Sequence, residues 1–103
     1  MDVEVRENAA NVAVATGDQL VIRIPEQASA GYQWSVEELT GSLELVSSDL
    51  TPGGGQAPGA AAERVVKVRA TGAGEGRVVL ALRRPWEQAV PAAEQFRVDV
   101  TVA

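Results

Sequence analysis

Side chains able to do covalent or acid–base chemistry are few in this sequence. It contains no Cys and no His, which removes thiol nucleophiles, imidazole bases, disulfide frameworks and Cys/His zinc sites. Carboxylates such as Glu26, Asp49, Glu87 and Glu94 are what remains for catalysis. A glycosidase pair needs two carboxyls about 5–9.5 Å apart in a sugar-sized cleft, and 103 residues leave little room for one. Scattered acids of this kind read as solvated surface, so the sequence is not read as an enzyme, and it implies no metal and no cofactor. A different chemistry is suggested by Arg84-Pro85-Trp86-Glu87. Trp and Arg dominate interface hot spots, and a proline between them stiffens the segment and lowers the entropy lost on binding. Trp86 either folds back to cap the molecule or stands out as an anchor for a partner.

Composition narrows the partner. Fourteen acids against nine bases give a net charge of −5, the wrong sign for a nucleic-acid binder or for attraction to an anionic membrane. No apolar run approaches the roughly 18 residues of a membrane span. The N-terminus, Met1-Asp2-Val3-Glu4-Val5-Arg6, has neither a basic n-region nor an apolar h-region. A cytosolic protein, or the mature form of an exported one, is therefore expected. A hydrophobic fraction of 46% is that of a folded chain. The length fits one domain over residues 1–103, with a monomer as the default.

The elements that must position the Arg-Pro-Trp segment are strands. Apolar residues alternate with polar ones at Val3 and Val5, at Val12 and Val14, and at Leu20, Ile22 and Ile24. The pattern continues at Tyr32, Trp34 and Val36, at Leu43 and Leu45, and at Val66, Val68 and Ala70. It ends with Val78, Leu80 and Leu82, and with Phe96, Val98, Val100 and Val102. Period two is the mark of half-buried strands. Turn signals fall at Thr16-Gly17-Asp18, Pro25 to Gly31, Thr40-Gly41, Thr51 to Ala62, Thr71 to Gly76 and Pro85 to Ala93. About seven to eight short strands so spaced predict an all-β, immunoglobulin-like antiparallel β-sandwich. Tyr32, Trp34 and Phe96 sit on strand phases and are assigned to its core; Trp86 is not on one.

From Leu20 onward, antiparallel strands in succession put the segments Pro25–Gly31, Thr51–Ala62 and Arg84–Ala93 at one end. The short turns fall at the other. Long connections are functional or floppy, and three at one end of a rigid sandwich suit the gripping of a partner.

Arg84-Pro85-Trp86-Glu87, together with Gly31-Tyr32-Gln33-Trp34 upstream, resembles the chagasin family of cysteine protease inhibitors. The resemblance covers nearly the whole chain. It implies an immunoglobulin-like sandwich that blocks papain-like proteases with three loops at one end. In the family the first loop carries an Asn-Pro-Thr-Thr-Gly-Tyr-x-Trp-like motif, the second is Gly-rich and the third carries Arg-Pro-Trp. Here Gly31, Tyr32 and Trp34 keep the second half of the first motif, whereas Gln27, Ala28, Ser29 and Ala30 replace Asn-Pro-Thr-Thr. Gly59, Ala60, Ala61 and Ala62 align with the family's Gly-x-Gly-Gly, so two glycines have become Ala. Arg84, Pro85 and Trp86 match the third loop in full.

On this resemblance the partner is a papain-like cysteine protease. Gln27–Gly31 would sit over its catalytic pair, where small residues let backbone approach closely. Gly59–Ala62 would lie along the substrate cleft through main-chain hydrogen bonds. Arg84 and Trp86 would dock beside the cleft. The altered first and second loops keep an alternative open, a non-inhibitory β-sandwich module that binds another protein through the same end.

Overall fold

The structure, a computed structural model, describes residues 1–26, 31–51, 62–84, 86 and 91–103. Among these residues there are eight strands and no helix: β1 Asp2–Val5, β2 Ala10–Val14, β3 Gln19–Glu26, β4 Gln33–Thr40, β5 Leu43–Thr51, β6 Ala62–Ala70, β7 Gly74–Arg83 and β8 Glu94–Val102. They form two four-stranded sheets, ordered β1-β3-β6-β5 and β2-β8-β7-β4.

Strand direction alternates along the chain, and this explains the sense of every pairing. Partners an odd number of strands apart, β3–β6, β4–β7, β5–β6 and β7–β8, are antiparallel. Partners an even number apart, β1–β3 and β2–β8, are parallel. The two N-terminal strands thus depart from the antiparallel pattern because each joins a different sheet, at its edge.

The inward phases of the sequence build the core. Leu20, Ile22 and Ile24 of β3 face Val66, Val68 and Ala70 of β6, Val78 and Leu80 of β7, and Phe96, Val98, Val100 and Val102 of β8, all buried. Each fully buried aliphatic side chain contributes roughly 1.5–3 kcal/mol. Trp34 is 7% exposed, and its ring meets Phe96 edge-on, with centroids 6.5 Å apart and planes at 80°. Bulges between Val36 and Glu38 in β4 and between Leu45 and Ser47 in β5 interrupt one edge strand of each sheet, at the edges opposite β2 and β1. Such irregularities discourage edge-to-edge association.

Several boundaries differ from the sequence reading. Pro25 and Glu26 close β3, Thr51 ends β5 and Ala62 opens β6, so the first two connections are shorter than the turn signals indicate. Pro and Ala in the flanking residues hide strand character that cross-strand pairing supplies. Tyr32 precedes β4 and is half-buried, outside the core cluster.

Candidate functional site

The connections after β3, β5 and β7 leave the sandwich at the same end. The pairings Glu26↔Ala62 and Thr51↔Glu63 bring the ends of the first two together. Gln33↔Arg83 and Leu82↔Glu94 do the same for the first and third. Of the residues expected to form the binding surface, Gly31, Ala62, Arg84 and Trp86 lie within the described part of the chain. Gln27, Ala28, Ser29, Ala30, Gly59, Ala60, Ala61 and Pro85 lie outside it, as does the carboxylate Glu87.

The third connection rests on the first. Gly31 has φ +81°, a backbone state that L side chains rarely adopt, and a Cβ there would come within 2.6 Å of Trp86 Cη2. Glycine thus satisfies two demands at this position: the turn, and the seat of the indole. Trp86 nevertheless remains 70% exposed. It is therefore neither a core cap nor a free side chain, but a ring steadied at one edge with most of its face open to solvent. Beside it the Arg84 guanidinium lies over the Tyr32 ring, 4.7 Å from the centroid, an arrangement worth about 0.5–1 kcal/mol at an exposed site. Tyr32 thus packs with Arg84 at this end of the sandwich and not in the core cluster. At the base, the Ala93 N–H donates to the Leu82 carbonyl at 2.8 Å and the Arg83–Glu37 ion pair closes at 2.9 Å.

Glu26 overturns the expectation of solvated acids. It is 1% exposed and is held by three donors. Arg64 Nη2 donates to Oε2 at 2.9 Å and Arg64 Nε to Oε1 at 3.1 Å, and the Trp34 backbone N–H donates to Oε1 at 2.7 Å. Trp34 Nε1 donates in turn to the Pro25 carbonyl at 3.1 Å. The carboxylate therefore ties the last residue of β3 to β4 across the first connection, and to β6 just beyond the second. The pair is not read from the sequence, where Glu26 enters only among the scattered acids and Arg64 not at all, although a signal is present. Glu26 continues the inward phase of Leu20, Ile22 and Ile24, and Arg64 continues that of Val66, Val68 and Ala70.

No group of His, Cys, Asp or Glu among the described residues could hold a metal ion. Two concavities mark the described surface, one at the opposite end against Thr40, Glu75, Arg77 and Asp99, and one beside the β1–β2 turn against Glu4–Glu7, Ala10 and Val12. What the described residues of this end offer is an exposed indole and a guanidinium stacked on a tyrosine, and Trp and Arg are the residue types that dominate interface hot spots.

The sequence and the fold both match known proteins. The family described as Chagasin family peptidase inhibitor I42 matches residues 13–100. Amoebiasin-1 of Entamoeba histolytica is 32% identical over 82 residues, 77% of this chain and 78% of that protein. The crystal structure of the cysteine protease inhibitor EhICP2 from Entamoeba histolytica matches with a TM-score of 0.85, covering 99% of this chain and 96% of that one at 19% identity. The structure of PbICP-C in complex with falcipain-2 matches with a TM-score of 0.68, covering 99% and 98% at 15% identity. At such identities the two structures speak for the fold.

Proposed function

The chain belongs to the chagasin family of peptidase inhibitors, and from that premise we propose that it blocks papain-like cysteine proteases with the three connections that surround Gly31 and Trp86. A papain-like cleft holds a thiolate beside an imidazolium. An inhibitor can fill that cleft without offering a bond in attack geometry. Residues Gln27–Gly31 cover the catalytic pair, and the small side chains of Ala28, Ser29 and Ala30 let the backbone approach. Gly59–Ala62 run along the substrate cleft and bond through the main chain, which Gly-to-Ala changes leave intact. Arg84 and Trp86 dock beside the cleft, with Pro85 holding them stiff. Arg84 is able to bond a carboxylate bidentately.

The observation that carries this reading is Trp86, a 70% exposed indole seated on Gly31 between two strand connections. A solvated tryptophan held in one orientation has little ordering entropy left to lose on docking. The experiment is titration of active papain with the purified protein. Stoichiometric loss of activity, with the inhibitor recovered uncleaved, is expected. Undiminished activity at micromolar protein would overturn the proposal in favour of a module that binds some other protein.

A further inference from the structure

Resting on that reading, we propose that Glu26 and Arg64 are positioning residues for inhibition. They lock the first connection to the second, so that the two meet the protease as one preformed surface. Glu26 immediately precedes the first connection, and Arg64 stands two residues inside the strand that follows the second. Their two hydrogen bonds, at 2.9 and 3.1 Å, cross between the two segments. The Trp34 N–H on the same carboxylate, at 2.7 Å, anchors the far side of the first connection. Glu26 is therefore the common point from which both connections spring.

Stability alone is a poor account of such a pair. A buried ion pair roughly breaks even against apolar residues of similar volume, because both charges must be desolvated. The surrounding phases on β3 and β6 are otherwise aliphatic, and two more aliphatic side chains would continue them. What an ion pair supplies that aliphatic residues do not is direction: a bidentate guanidinium–carboxylate contact fixes distance and angle together. Fixing the bases of two binding segments raises the fraction of molecules already competent to bind, and apparent affinity rises by that same fraction.

The test separates positioning from packing. The double variant Glu26→Gln/Arg64→Met removes both charges and the cross-connection, yet keeps an amide oxygen for the Trp34 N–H. Its thermal midpoint is expected to stay within a few degrees of the parent. Its inhibition constant against papain, measured well below that midpoint, is expected to rise at least tenfold, mainly through a slower association rate. Glu26→Gln alone retains an amide oxygen as acceptor for the charged Arg64 guanidinium and is expected to lie between the two. A double variant that stays folded and inhibits as well as the parent would overturn the proposal. Should the double variant fail to fold, Glu26→Gln decides, and parent-like inhibition by it counts against positioning. If the parent itself leaves papain untouched, inhibition as a function fails first. The lock is then judged by backbone amide exchange at Gly31 and Ala62 in the free protein: faster exchange in the variant upholds it, and unchanged exchange refutes it.

Discussion

Trp86→Ala separates the two roles that an aromatic at the end of a sandwich can play. A tryptophan side chain presents up to about 250 Å², and 70% of this one is open to solvent. Docking can therefore cover about 175 Å² of it, worth a ceiling of about 4 kcal/mol at roughly 25 cal/mol per Å². Ordering and imperfect desolvation take a share, leaving at least about 2 kcal/mol, a roughly thirtyfold rise in the inhibition constant. Among the described residues, the contact that the substitution removes from the free protein is the ring edge resting on Gly31. The expected loss of stability is below about 1 kcal/mol, or less than about 4–8 °C in a domain of this size. The assay is tight-binding titration of papain, paired with a thermal melt of each variant. A fall in the midpoint as large as the loss of binding would mean that Trp86 caps the core, and an unchanged inhibition constant would remove it from the interface. Gly31→Ala completes the argument. Its positive φ alone costs about 1–3 kcal/mol for a side chain, and the approach to within 2.6 Å of Cη2 adds a clash. In a Trp86→Ala background the clash disappears and the backbone cost remains. Equal costs in both backgrounds would refute the seating of the indole on Gly31.

Arg84→Ala is expected to weaken inhibition by an amount set by how far its partner carboxylate is desolvated, with the melting midpoint almost unmoved. A midpoint falling in step would make its stacking on Tyr32 structural. Ala30→Thr restores the second threonine of the family's Asn-Pro-Thr-Thr motif, and is expected to tighten inhibition of papain; a flat or weaker response would mean the first loop is fitted to another partner. Stability is expected to fall on acidification through two carboxylates. Asp18 is held below its ordinary pKa chiefly by the Ala15 backbone N–H, 2.9 Å away, and Asp99 chiefly by Arg77 Nε at 2.8 Å. A depressed carboxylate pKa means that the unfolded chain binds the proton more readily. The contribution is therefore complete above the ordinary carboxylate range and is lost as pH falls through the folded values. Melts of Asp99→Asn against the parent from neutral pH to pH 3 check this: the gap is expected to narrow on acidification, and a constant gap would exclude the linkage.

Much of the fold was legible because side-chain alternation reports burial directly. Val66, Val68 and Ala70, or Phe96, Val98, Val100 and Val102, could not change register by one residue without exposing the whole set. The placement of the three connections followed from counting reversals, and the same count accounts for the parallel senses of β1 and β2. Which sheet each N-terminal strand joins was not legible. Asp2–Val5 and Ala10–Val14 are short and carry similar valine patterns, and their choice of neighbour depends on long-range pairing with β3 and β8. Tyr32 was misassigned because period two cannot tell the last inward position of a strand from the first residue before it. The neighbour that claims Tyr32 is Arg84, fifty-two positions away in sequence.

The Glu26–Arg64 pair was missed for a reason that improves the rule. Pro25 opens one turn signal and Thr51 to Ala62 forms another, so neither charge is read as part of an apolar phase. Taken together, the two charges support the opposite conclusion. Glu26 extends the phase of Ile22 and Ile24 by one step, and Arg64 extends that of Val66 and Val68 by one step in the other direction. In the antiparallel pair Ile24 faces Arg64 and Glu26 faces Ala62, which makes Glu26 and Arg64 diagonal neighbours on the inward face, within reach of long side chains. Opposite charges at the facing ends of two apolar phases thus predict both the pairing and its register, since a shift of two residues would part them and leave a buried carboxylate alone. That cost, several kcal/mol for an unpaired buried ion, falls on misregistered states. The pair therefore fixes how far β3 and β6 extend, and so where the first two connections begin.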